Sequence, residues 1–184
     1  MILLYTLTAI FIAWIWVDYY RLIDIYEAEK LGYFILTFVL GALSVFIVFI
    51  LNDFIFDATG FVMNGEFLQD LIYCTLRIGM LEEFAKLTPF IIILIFFKKE
   101  VNEPIDYISY LCISALGFSA AENVLYFSNY GAHIISGRAI LSSVGHMMFA
   151  GFTAYGIILY KYKKSKYGVL IMPFYFFIGS LSHG

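Results

Sequence analysis

The sequence predicts an all-α protein, a polytopic membrane bundle of about six transmembrane helices with both chain ends extracytoplasmic, and three observations predict it. Of 184 residues, 62% are hydrophobic and only 14% charged, with a mean hydropathy of +0.89. That leaves too little polar surface to cover a water-soluble domain of this size and excludes the soluble classes. The apolar residues fall into runs of the length that crosses a hydrocarbon core. Among the connections between those runs, only alternate ones hold Lys and Arg.

In chain order the runs are residues 2–17, 31–51, about 71–97, 105–127, 138–160 and 167–184. No Lys or Arg precedes the first, and no small-residue cleavage site comes before Asp18, so it reads as a span in preference to a removable signal peptide. Residues 18–30 resemble a short amphipathic helix on the inner side. Residues 52–70 interleave Phe54, Ile55, Phe56 and Phe61 with acids and with Gly60, Asn64 and Gly65, as expected of an interfacial or re-entrant piece at the outer surface. Arg21 and Lys30 follow the first run, Lys98 and Lys99 the third, and Lys161, Lys163, Lys164 and Lys166 the fifth. Segments 52–70 and 128–137 hold neither Lys nor Arg. Cytoplasmic loops carry the basic excess, which orients the bundle in a cell membrane with both ends outside.

No repeat, linker or low-complexity tract divides the chain, so residues 1–184 read as one integral membrane domain. A net charge of −3 without a long basic run argues against nucleic acid as a partner and leaves the lipid bilayer and other membrane proteins. Cys74 and Cys112 lack Cys-x-x-Cys spacing and belong near opposite membrane faces, too far apart to bridge.

A charge inside the hydrocarbon costs at least about 2.5–3.5 kcal/mol on insertion scales, so each one needs a partner or a task. Such residues are Arg77, Glu82, Glu83 and Lys86 in the third run, Glu122 in the fourth, His146 in the fifth and His183 in the sixth. Glu82 and Glu83 lie four and three residues before Lys86, and one lysine neutralises only one of two adjacent carboxylates. Either Glu82 and Lys86 form a buried pair with Glu83 protonated, or an excess proton acceptor serves a function. Ala115, Phe118, Ser119 and Glu122 share one helical face that is mostly small, so this face is expected to meet the third run and bring Glu122 toward Glu82 and Glu83. His146 shares its face with Ser142, Ser143, Ala150 and Thr153. Gly179 and Ser180 precede His183 by one turn, whereas His133 belongs in a solvated loop. Arg138 either snorkels to headgroups or stabilises an anionic site. At about 1.5 Å of rise per residue, Glu122, His146 and His183 lie in the outer half of the bilayer, with Glu82 and Glu83 there or near the middle. Agreement in depth among separate helices points to one polar site.

Carboxylates with imidazoles suit activation of water for amide hydrolysis. One arrangement uses Glu122, His146 and His183 as a Zn²⁺ ligand set, with Glu82 or Glu83 as general base. The other needs no metal: Glu82 or Glu83 activates water with help from His146. No His-Glu-x-x-His signature decides between them. A proton- or ion-coupled transporter is the rival reading, but the repeated hydropathy and matched broken helices of that class are not visible, and Pro89 and Pro173 do not occupy matching positions. A catalytically inactive membrane scaffold is a third.

Glu82-Glu83-Phe84-Ala85-Lys86 resembles the EExxK motif, and Phe118-Ser119-Ala120-Ala121-Glu122-Asn123 the FxxxEN motif, of the PrsW-type intramembrane proteases. Arg138 and His146, with Gly151 and Gly156 beyond, look like that family's third motif, and His183-Gly184 like the opening of its fourth. The similarity covers roughly residues 77–184, which therefore carry the catalytic motifs. It is more distant to the CAAX-processing and bacteriocin-immunity proteases, whose EExxxR and FxxxH are replaced here at Lys86 and Glu122. The resemblance implies an intramembrane endopeptidase, commonly classed as a metalloprotease, that cuts a membrane-anchored regulator such as an anti-sigma factor on its extracytoplasmic side. It implies catalytic roles for Glu82, Glu83, Lys86, Glu122, His146 and His183. The family's fourth motif continues to an Asp or Asn, and here the sequence ends at Gly184, which bears on the role of His183 and on full activity.

Overall fold

A computed structural model describes residues 1–23, 29–56, 60–163 and 168–184. Among them all regular structure is helical: α1 (Ile2–Ile23), α2 (Leu31–Leu51), α3 (Phe67–Tyr73), α4 (Leu81–Phe96), α5 (Pro104–Tyr130), the single turn α6 (Ile135–Gly137), α7 (Ser143–Tyr162) and α8 (Gly168–His183). Four stretches, Ile2–Ile23, Leu31–Ile55, Pro104–Tyr130 and Ala132–Tyr162, are long and apolar enough to cross a membrane, and α8 is a shorter apolar helix. The protein is an all-α polytopic membrane bundle.

The third apolar run is a continuous helical path in which α3 leads through a wide π-helical turn, Cys74–Met80, into α4. Its four ionisable residues set it apart from the purely apolar spans. Two expectations shift. Residues 18–23 are the last turns of α1, joined by an Asp18–Arg21 ion pair at 3.5 Å, while residues 24–28 of the expected amphipathic helix lie outside the described residues. Asn52–Phe56 prolongs α2 as a π-helical turn, and residues 60–66 form a loop whose Asn64 and Gly65 amides donate to the Asp70 carboxylate. Residues 57–59 and the basic Lys164 and Lys166 also lie outside the described residues.

Helix α5 is the axis. Pro104 at its first turn and a reciprocal Glu103–Asp106 capping box start it cleanly. Beyond that start it is buried through most of its length, packed against α1, α2, α4 and α7. Small residues make this closeness feasible: a Cβ on Gly117 would fall 2.0 Å from the Phe38 carbonyl of α2. The expected contact between the Ala115–Glu122 face and α4 is made in part, and α7 takes the rest. Ser114 donates to the Lys86 carbonyl at 2.6 Å, Phe118 faces the Lys86 ammonium, and Ser119 meets Ser143 of α7 at 3.5 Å. Helix α8 closes the bundle against α7 and the Cys74–Met80 turn, where a Cβ on Gly79 would fall 1.9 Å from the Ser180 carbonyl. That approach carries His183 to the start of α4. Cys74 and Cys112 are both free thiols.

Candidate active site

The first turns of α4 present Glu82, Glu83 and Lys86 inward. Glu83 and Lys86 are 2% and 0% exposed, and the ammonium donates to Glu83 Oε1 at 2.7 Å, with Glu82 Oε2 3.6 Å away. Spacing allows either acid to pair with Lys86; the shorter contact is Glu83's, with Glu82 at the edge of ion-pair distance. Glu83 Oε1 also lies 3.1 Å from His183 Nδ1. A buried carboxylate needs partners to offset its desolvation, and Glu83 Oε1 has two, Lys86 and His183.

From α5 and α7 comes a second cluster. Glu122 Oε2 accepts from the Arg138 guanidinium at 2.5 Å and lies 3.0 Å from His146 Nε2. Arg138 also donates to Asn123 Oδ1 at 2.6 Å and to Ser142 Oγ at 3.1 Å, with its guanidinium 3.7 Å from the centroid of the Tyr126 ring. Arg138 thus faces inward to an acid and is not spread toward headgroups. Tyr126 was not legible as a site residue, although its position one turn after Glu122 puts the two on one face.

The two clusters meet through the imidazoles. His146 and His183 pack edge to face with centroids 4.9 Å apart, and Phe149 stacks on His183 at the same distance. Each imidazole is engaged at one nitrogen by a carboxylate, His146 by Glu122 and His183 by Glu83. On the other side, His183 Nε2 lies 3.3 Å from Glu82 Oε2. Buried His146 Nδ1 and buried Glu82 Oε2 make no hydrogen bond. Glu82, His146 and His183 each offer a ligand atom within 4.8 Å of the others.

An unbonded imidazole nitrogen, His146 Nδ1, and a carboxylate oxygen, Glu82 Oε2, converge beside carboxylate-supported imidazoles, so these residues fit a divalent ion such as Zn²⁺. The ligand-type cluster differs from the expected Glu122, His146 and His183. Glu82 stands in it, while Glu122 Oε2 is engaged by Arg138 and His146 Nε2. Sequence spacing could not show where Arg138 would turn.

A cavity of about 290 Å³ opens onto Glu82, Glu122, Arg138, Ser142, His146 and His183. Water takes roughly 30 Å³ in the liquid, so it has room for several waters or for a peptide group. Glu83 and Lys86 lie behind it and do not line it. Arg77 is elsewhere, donating to Asn52 Oδ1 at 2.7 Å at the end of α2, and His133 is exposed.

Comparison with known proteins matches residues 29–184 to a family described as PrsW family intramembrane metalloprotease. The chain is similar to proteins named Protease PrsW from Geobacillus kaustophilus (32% identical over 86% of this chain and 69% of the relative), Halalkalibacterium halodurans (31%, 73% and 56%) and Clostridioides difficile (33%, 78% and 60%). It thus spans between 56% and 69% of these relatives' lengths. No solved structure matches.

Proposed function

The chain belongs to the PrsW family of intramembrane metalloproteases, multi-pass membrane enzymes, and from that premise we propose that it hydrolyses a peptide bond of a membrane-anchored, anti-sigma-factor-like regulatory protein near the extracytoplasmic face. The observation that carries this reading is the meeting of Glu82, His146 and His183 within 4.8 Å at a cavity that also holds Glu122 and Arg138.

Glu82, His146 and His183 are the residues that would hold Zn²⁺, which when bound makes water a competent nucleophile at neutral pH and polarises a carbonyl. Glu122 fixes His146 through Nε2, and Glu83 fixes His183 through Nδ1, so each imidazole keeps its other nitrogen toward the centre. Lys86 supports Glu83 and takes no part in proton transfer, since neither residue reaches the cavity. Glu122 is the carboxylate that lines the cavity outside the metal set, so the proton leaving the attacking water passes to it rather than to Glu83. Arg138 brings a fixed positive charge to the wall of the same cavity, where an oxyanion would develop. Apolar helices around the cavity limit water, which keeps these charges effective.

The test is cleavage by the purified chain in liposomes of a reporter held by a transmembrane anchor, together with metal analysis. The chain should contain about one Zn²⁺ and cut the reporter, and Glu82→Gln and His146→Ala should each lower kcat/KM by about 10³-fold or more while shedding metal. Cleavage undiminished in both variants would overturn the assignment. Activity lost without any bound metal in the parent would overturn the metal set alone.

A further inference from the structure

The hydrolytic cavity has an apolar neighbour. A groove of about 440 Å³ shares Glu82, Glu122 and Tyr126 with it and runs between α2 and α5. Its floor is buried, with Val45 and Phe118 at 6% and 2% exposure, and Val48 is half-buried. Its rim is not: Phe49, Leu125 and Tyr130 stand out on the side of the bundle. In a membrane that side faces lipid, so the groove is open laterally at the depth of the acids. Asn129 adds an amide at the outer end.

A peptide bond is attacked only when its carbonyl is accessible, so a helical membrane segment must locally unwind and present extended backbone to Glu82 and Glu122. Successive side chains of an extended strand point to opposite sides. One residue flanking the scissile bond then falls toward the polar cavity and its neighbour toward the groove. Unwound backbone in the bilayer needs polar partners, and the Asn129 amide in the groove lining offers one.

Resting on the protease reading above, we infer that the α2–α5 groove is a specificity subsite that takes one large apolar side chain adjacent to the scissile bond, admitted sideways from the lipid. A second apolar cavity, of about 420 Å³ between α1, α2 and α5, touches none of the acids or imidazoles and supplies an internal control.

The experiment compares two anchored reporters that differ only in the residue flanking the scissile bond, leucine or alanine, cut by the parent, by Val48→Phe, which fills the groove, by Leu125→Ala, which widens it, and by Val39→Phe in the control cavity. The parent should favour leucine over alanine by at least about tenfold, since even one methylene in an apolar pocket is worth about 10- to 200-fold. Val48→Phe should bring that ratio close to one, Leu125→Ala should lower it by loosening the fit around leucine, and Val39→Phe should leave the ratio unchanged. A ratio unmoved by both groove variants overturns the subsite while leaving proteolysis intact. A photo-crosslinker placed at position 48 in Glu82→Gln reads occupancy without turnover. Capture of the anchor without cleavage by the parent supports the groove and overturns hydrolysis, and neither capture nor cleavage overturns both.

Discussion

Helices α1 and α2 on one side, and α4, α5, α7 and α8 on the other, bury their inward faces by different means. The first pair uses small and apolar residues, Ala9, Ala13 and Gly41 among them, and leaves its Asp18–Arg21 pair exposed at the end of α1. The second group takes Glu83, Lys86 and His146 almost wholly out of solvent and leaves Glu82 and Glu122 open only to cavities. The difference teaches that in the second group polar residues are not interchangeable decorations on an apolar scaffold. Each is buried on condition that a specific neighbour stays.

The sharpest way to break this comparison is Lys86→Met. Methionine roughly fills the space of the lysine stem but leaves Glu83 buried beside His183 without its cation. Breaking a buried pair by removing one partner costs about 3–5 kcal/mol, whereas removing both is often neutral. Thermal unfolding in detergent should show Lys86→Met strongly destabilised and Glu83→Gln/Lys86→Met largely restored. If the single variant unfolds with the parent, the two groups of helices do not differ in the way described.

How much of this was legible beforehand divides along the same line. Span positions followed from hydropathy because apolar runs answer to one variable, bilayer thickness, and 31–51 coincides with α2. The layer holding Glu82, Glu83, Glu122, His146 and His183 was legible from depth and motif. Pairing was not. Glu82 and Glu83 both reach Lys86 by helical spacing, and only the position of α8, set by the close Gly79–Ser180 crossing, gives His183 to Glu83 at Nδ1 and to Glu82 at Nε2. The π-helical turns at Cys74–Met80 and Arg138–Ser142 also escaped, because a wide turn shifts the phase of every residue after it without any marker in composition. Arg138, at the head of the second turn, points onto Glu122 and Asn123 where simple counting allowed it to reach for headgroups.

A smaller effect sharpens the contrast within the second group. Arg138 holds Glu122, Asn123 and Ser142 at once, and Glu122 in turn orients His146. Besides its charge at the cavity wall, it acts on the metal set through another residue, so Arg138→Gln should lower Zn²⁺ affinity, read by chelator competition, and kcat/KM by about 10- to 100-fold each. Arg138→Lys should recover little, because an ammonium cannot reproduce a planar fork that serves three acceptors and stacks on Tyr126. Loss of stability with metal affinity unchanged would reduce Arg138 to a structural brace.

The smallest effect belongs to α1. Arg21 and Asp18 are opposite charges three residues apart at 3.5 Å, by sequence spacing as good a pair as Glu83 and Lys86. Their side chains are 38% and 54% exposed, against 1% and 0% for the pair in α4. Solvent screens the attraction, both long side chains lose freedom on pairing, and neither charge is stranded when its partner goes. Arg21→Gln should therefore change unfolding by less than about 0.5 kcal/mol and leave reporter cleavage unaltered. The same i,i+3 geometry would then differ several-fold in consequence between the two ends of the bundle, which isolates burial, and not spacing or charge, as the property that couples the site to the fold. A loss from Arg21→Gln as large as that from Lys86→Met would remove that distinction.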